Sequence, residues 1–162
     1  MIIRITDLSC EPKRLCFELT PEDLNEALAA NPGCTDQRFA KRLEVEADAY
    51  LSGEDDVIFV GGVEGEVEGI CPRCLDRFCG SLHREFRFLV LREGTPGREE
   101  DDEGLAHHDG LEVDLASLAR EQAILELDDT KPCFSGCLGL CPGCGANLNR
   151  ESCSCEGRKT KG

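Results

Sequence analysis

Eight of the twelve cysteines in this 162-residue chain fall into four close pairs: Cys71-Pro-Arg-Cys74, Cys133 with Cys137, Cys141-Pro-Gly-Cys144, and Cys153-Ser-Cys155. Cysteines two residues apart on a tight turn can face one ion, and four thiolates at about 2.3 Å complete the tetrahedron that divalent zinc adopts. Eight ligands make two such sites, so the sequence predicts two zinc ions and a carboxy-terminal segment that folds around metal. Cys141-Pro-Gly-Cys144-Gly145 is the most specific element. Pro142 presets the turn, and Gly145 permits a positive φ that lets backbone N–H groups point at the sulfurs. With Cys153 and Cys155 this knuckle keeps four ligands in one short segment, and Cys71, Cys74, Cys133 and Cys137 then form the other site. The competing partition places Cys133, Cys137, Cys141 and Cys144 on one ion and Cys71, Cys74, Cys153 and Cys155 on the other. In the first knuckle Leu75 stands where the second has glycine.

Four cysteines can also hold an iron–sulfur cluster, but nothing in the sequence suggests electron transfer. A thioredoxin-type pair needs its first cysteine at a helix N-terminus, and neither knuckle sits there. Cys10, Cys16, Cys34 and Cys79 have no partner in spacing and read as small buried hydrophobes, with Cys79 set apart by its nearness to Cys74. His107-His108 follows a glycine-bounded acidic stretch and reads as solvent-exposed. Asp114 and Glu121 read as a helix cap and a surface group. No catalytic residue is expected: four-thiolate closure leaves zinc no open position for hydrolysis.

The length allows one ordinary domain with a metal-stapled tail: an acidic part over residues 1–129 that includes the 71–74 knuckle, a cysteine-rich zinc segment over 130–155, and a short basic tail over 156–162. The longest aliphatic or aromatic runs, Val57 to Val60 and Phe88 to Leu91, are far short of the ~20 residues that span a bilayer, so no membrane association is expected. Paired cysteines without a secretory leader point to a reducing cytoplasm. The formal charge is −15; residues 130–162 sum to +3, leaving −18 on residues 1–129. Such a body repels phosphate backbones and attracts basic proteins. A weaker alternative puts Lys131, Arg150, Arg158, Lys159 and Lys161 on RNA phosphates.

The periodicities predict an α+β fold: a twisted, mostly antiparallel sheet, two short helices and the zinc-knuckle segment. Thr20-Pro-Glu-Asp opens a helix over 21–30. Leu43, Val45, Ala47, Ala49 and Leu51 alternate with Arg42, Glu44, Glu46 and Asp48 in the period of a half-buried strand. Val57–Val60 and Val63–Gly69 continue as strand, with a bulge or bend at Gly61-Gly62, and Glu64, Glu66 and Glu68 on one wet face. Leu82–Arg92 reads as the next strand, and residues 1–8 as an edge strand. Residues 93–104, with six acids and one arginine, read as a mobile loop. Asp114 caps a helix that ends near Asp128-Asp129.

Cys71-Pro-Arg-Cys74-Leu-Asp-Arg-Phe, then Val113-Asp-Leu before a helix, then Cys137-Leu-Gly-Leu-Cys141-Pro-Gly-Cys144-Gly-Ala-Asn-Leu-Asn149, follow one another in an order that resembles the YceD family of bacteria and chloroplasts, named for accumulation of large-subunit ribosomal RNA. The resemblance runs from the first knuckle to Cys155. It implies a cytoplasmic, non-enzymatic ribosome-biogenesis factor whose partner is a basic large-subunit ribosomal protein or pre-ribosomal particle, with direct rRNA contact as the alternative and no small-molecule substrate. Members of the family are often encoded beside a small basic large-subunit ribosomal protein. Some members keep the earlier cysteine pair and lack the Cys-Pro-x-Cys-Gly tail, which implies that Cys71, Cys74, Cys133 and Cys137 can stand as a separate unit.

Overall fold

The strict alternation that begins at Leu43 becomes strand β3 (Leu43–Ser52), whose odd-numbered residues from Leu43 to Ala49 are buried and whose even-numbered ones face outward. The computed structural model describes residues 1–30, 35–53, 55–93, 105–153 and 155. Before β3 come β1 (Ile2–Arg4), a single 3₁₀ turn, β2 (Lys13–Leu19) and helix α1 (Pro21–Ala29); after it come β4 (Asp56–Ile70), β5 (Arg77–Arg92), β6 (Leu105–His108), β7 (Glu112–Asp114) and helix α2 (Leu115–Leu125). Five strands form one sheet in the order β2-β3-β4-β5-β6, antiparallel except for the β5–β6 pair, and β1 pairs with β7 in a small separate ribbon. This is the α+β architecture that the sequence predicts.

Both helices begin where the sequence places their caps. Thr20 Oγ1 accepts the Asp23 N–H at 3.2 Å, with Pro21 in the first turn. Asp114 Oδ1 accepts the Ser117 N–H at 3.2 Å. α2 stops at Leu125, three residues before the expected Asp128. Carboxylates are unfavourable at the negative end of a helix, and Asp128 instead accepts both the N–H and the hydroxyl of Thr130. The helices cover the inner face of the sheet, where Leu24, Leu43, Phe59 and Leu115 are fully enclosed.

Three expectations need correction. The β3–β4 register runs unbroken from Ser52↔Asp56 to Glu44↔Glu64, so Gly61-Gly62 forms no bulge. Gly61 serves close approach instead: a Cβ there would lie 2.3 Å from the Glu46 carbonyl oxygen. His107 and His108 belong to β6, and His108 is buried. Its Nδ1 accepts the Gly110 N–H at 2.8 Å, so Nε2 carries the proton that it gives to the Asp55 carbonyl at 2.9 Å. Cys10 and Cys16 are exposed free thiols and not buried hydrophobes, because Cys10 precedes β2 and Cys16 faces outward from it; Cys79, already set apart from the other lone cysteines, is exposed on the outer face of β5. Cys34 and the expected mobile loop, apart from Glu93, lie outside the described residues.

β4 and β5 pair without interruption over fourteen positions, from Val57↔Val90 to Ile70↔Arg77. This long hairpin projects the first cysteine knuckle, residues 71–76, beyond the edge of the helix-covered core.

Candidate metal centres

The two knuckles have the same backbone. In the first, the Leu75 N–H donates to the Cys71 carbonyl at 2.9 Å and the Cys71 N–H donates to the Asp76 carbonyl at 2.9 Å. In the second, the Gly145 N–H donates to the Cys141 carbonyl at 2.8 Å and the Cys141 N–H to the Ala146 carbonyl at 2.8 Å. The residue after the second cysteine takes a left-handed conformation in both, φ +77° at Gly145 and φ +60° at Leu75. Leucine therefore occupies a position that favours glycine, and the first knuckle keeps the shape of the second at a conformational cost.

The sulfurs of Cys71, Cys74, Cys133 and Cys137 all lie within 4.8 Å of one another, as do those of Cys141, Cys144, Cys153 and Cys155. This grouping matches the first of the two partitions that the spacing allows. In the first centre Cys71 and Cys137 are 3.9 Å apart and Cys74 and Cys133 3.7 Å. Four sulfurs around zinc at the usual bond length would stand about 3.8 Å apart. The fit is close. In the second centre Cys153 lies 3.1 Å from Cys141 and 3.5 Å from Cys144, a tighter cluster that needs slight expansion to enclose an ion. Both groups can hold a metal ion.

Backbone and amide N–H groups support the sulfurs. Cys71 Sγ accepts the Cys133 N–H at 3.3 Å, Cys141 Sγ the Gly143 N–H at 3.4 Å, and Cys153 Sγ the Cys155 N–H at 3.1 Å. Burial pushes the Cys71 thiol up, but N–H groups of Cys133, Cys74 and Arg73 outweigh it and bring the thiol from 9.0 down to about 6. Burial and the neighbouring sulfurs push Cys133 up to about 12. In the second centre the Cys153 thiol, then the N–H groups of Gly143 and Cys144, lower Cys141 to about 6, whereas contact with Cys153 and Cys144 pushes Cys155 up to about 12. Each group thus contains one thiol that its surroundings lower and one that they raise. A divalent ion would supply the positive charge that favours thiolate ligands.

An asparagine bridge that the sequence reading assigned no role joins the two centres. Asn149 Nδ2 donates to Cys137 Sγ at 3.4 Å, and its Oδ1 accepts the Leu138 N–H at 2.8 Å. Asn147 Oδ1 accepts from Asn149 Nδ2 at 3.0 Å, while Asn147 Nδ2 donates to Asp76 of the first knuckle at 2.9 Å. The Leu140 N–H donates to the Arg73 carbonyl at 2.9 Å, so the tail folds back onto the turn after β4. The Asn-Leu-Asn run beside the second knuckle was the available signal. Gly143 is explained too: a Cβ there would stand 3.1 Å from Cys155 Sγ.

Of the basic residues considered for RNA, Lys131 pairs with Glu126 at 3.4 Å and Arg150 with Asp76 at 3.0 Å. Arg158, Lys159 and Lys161 lie outside the described residues. The outer face of the sheet is strongly acidic. Glu18, Glu44 and Glu64 stand side by side across β2, β3 and β4. Glu46 and Glu85 flank Gly62 in the next row and, with Arg14, His83 and Arg87, line a groove of about 730 Å³.

The family described as large ribosomal RNA subunit accumulation protein YceD matches residues 59–161 of the chain. A Zea mays protein named large ribosomal RNA subunit accumulation protein YCED homolog 1, chloroplastic, is 40% identical over 121 residues, covering 57% of this chain and 41% of the relative. The Arabidopsis thaliana protein of the same name is 44% identical over 50 residues, covering 31% of this chain and 15% of the relative. The chain spans less than half the length of either. No solved structure matches. Among the described residues, no helix is long and apolar enough to cross a membrane.

Proposed function

The chain belongs to the YceD family, and from that premise we propose that it is a non-enzymatic factor supporting accumulation of large-subunit ribosomal RNA, with a basic ribosomal protein held on its acidic sheet face and two structural zinc ions fixing its carboxy-terminal segment. The observation that carries this reading is the transverse row Glu18–Glu44–Glu64. Like charges placed directly opposite one another destabilise a sheet, on the order of a few tenths of a kcal/mol per pair. Solubility alone does not require that arrangement, because the same acids could be spread out. Arg42 neutralises Glu18 and Arg14 neutralises Glu46, each at 2.7 Å, and His83 lies 3.0 Å from Glu64, but Glu44 and Glu85 form no ion pair among the described residues. The groove lining sets four glutamates against Arg14, Arg87 and His83, a net negative charge that suits a cationic partner.

Zinc fits two all-sulfur, tetrahedral groups with supporting N–H donors. When bound it supplies cross-linking and charge neutralisation, and closure by four sulfurs leaves no position for a substrate. A reducing compartment, the cytoplasm in a bacterial cell, keeps these thiols available.

The test is binding of the purified zinc-loaded chain to individual basic large-subunit ribosomal proteins and to large-subunit rRNA fragments over a salt series. The expected result is salt-sensitive binding of a basic protein that Glu44→Lys with Glu85→Lys abolishes. Tight binding of rRNA, untouched by that double change, overturns the reading in favour of direct RNA contact.

A further inference from the structure

Every ligand of the first centre has an exposed large apolar residue next to it in the chain: Ile70 before Cys71, Leu75 after Cys74, Phe134 after Cys133 and Leu138 after Cys137. They are half or more exposed, at 50%, 62%, 52% and 66%, and make up four of the eight exposed large hydrophobics among the described residues. Because their four cysteines converge within 4.8 Å, these four exposed residues are held around one centre, as a collar of chain positions. Scattered single hydrophobics need no explanation, whereas a cluster of this kind marks an interaction site.

Through Ile70 the collar adjoins the acidic face. Residues two apart on a strand share a face, so Gly62, Glu64, Glu66, Glu68 and Ile70 form a single outward row along β4, in which Lys41 pairs with Glu66 and His83 faces Glu64 at 3.0 Å, while Glu68 forms no ion pair among the described residues. Over eight residues the row spans roughly 27 Å, from the acidic groove to the collar. We propose that this row and the collar form one bipartite docking surface for an extended basic polypeptide, whose cationic stretch lies along the glutamates and whose apolar side chains anchor against Leu75, Phe134 and Leu138. The proposal rests on the acidic-face reading above and adds to it the apolar anchor. Charge complementarity selects the occupant. A second copy of this chain would bring another −15 charge to the same face, and a nucleic-acid strand would meet the glutamate row with its phosphates.

The test uses the full zinc-loaded chain and three synthetic peptide probes: eight residues of alternating lysine and serine alone, and the same stretch with two leucines at the amino or at the carboxy end. Fluorescence anisotropy at about 150 mM salt is expected to show one leucine-bearing peptide binding about tenfold tighter than the plain one. Phe134→Ser with Leu138→Ser should remove that advantage while leaving affinity for the plain peptide and the metal content unchanged. Equal binding of all three peptides overturns the anchor but leaves the acidic-face reading standing; failure of all three to bind overturns both. A wild-type dimer in sedimentation that the double change dissociates overturns the proposal by assigning the collar to a second copy.

Discussion

The two four-sulfur centres share a knuckle backbone but differ in what they connect. The first is buried except for the half-buried Cys133 and joins residues more than sixty positions apart, Cys71 to Cys133, so it ties the β4–β5 hairpin to the segment after α2. The second takes all its ligands from Cys141 to Cys155, and Cys144 and Cys155 are exposed. One geometry therefore serves two tasks: a long-range tie between distant parts of the fold, and a local staple that gives a short segment a shape it cannot obtain from a hydrophobic core. Apparent binding energies of structural zinc in small peptides reach on the order of 10 kcal/mol, comparable to the whole stability of a domain. A long-range tie transmits that energy to the fold; a local staple confines it.

The largest test of that contrast is Cys74→Ser. It should release one metal ion and free the tail, lowering the midpoint of thermal unfolding by ten degrees or more, on the order of several kcal/mol; native mass spectrometry and calorimetry read the two effects. An unchanged midpoint would mean that the hairpin and tail are not coupled through metal. Cys144→Ser should also release one ion but leave the main transition nearly in place. Under chelator, the wild-type chain should lose metal in two phases, with the faster one absent from Cys144→Ser because the exposed centre empties first. A single phase, or loss of both ions in the variant, would make the centres one unit.

A smaller effect is expected from Asn149→Ala. Removing an N–H donor to a ligand sulfur commonly costs 10- to 100-fold in metal affinity, and competition with a chromogenic chelator should place that loss in the first centre, through Cys137. A change confined to the second centre would refute the bridge as drawn. The smallest is Leu75→Gly, which relieves a left-handed leucine and should raise the stability of the metal-loaded protein by about 1 kcal/mol, seen as a small upward shift in the unfolding midpoint. Destabilisation there would mean that the Leu75 side chain contributes packing despite its exposure.

How much was legible in the sequence followed from how local each signal is. The alternation in β3, the Thr20 and Asp114 caps and the Cys-Pro-x-Cys turns each depend on neighbours within a few positions, and all three are found where the sequence places them. β6 was missed because its pairing is parallel and needs β5 to define it. β2, though Leu15, Phe17 and Leu19 alternate, is short and mixed with charge, and it gains its place by pairing with β3. The glycine pair in β4 read as a bend, whereas the actual demand was interstrand approach against Ala47, visible only once β3 lies beside it. In the metal centres spacing identified the sulfurs, but the roles of Asp76, Asn147 and Asn149 depend on the tail returning to the first knuckle.

That return sets an order of events during biosynthesis. The chain leaves the ribosome amino-terminal end first, so Cys71 and Cys74 emerge long before Cys133 and Cys137 exist to meet them. A nascent chain carries half a ligand set through the production of both the remaining sheet and α2. Any metal capture by the first centre is consequently a post-sheet event, waiting on a segment that follows the last strand and α2 in the order of synthesis.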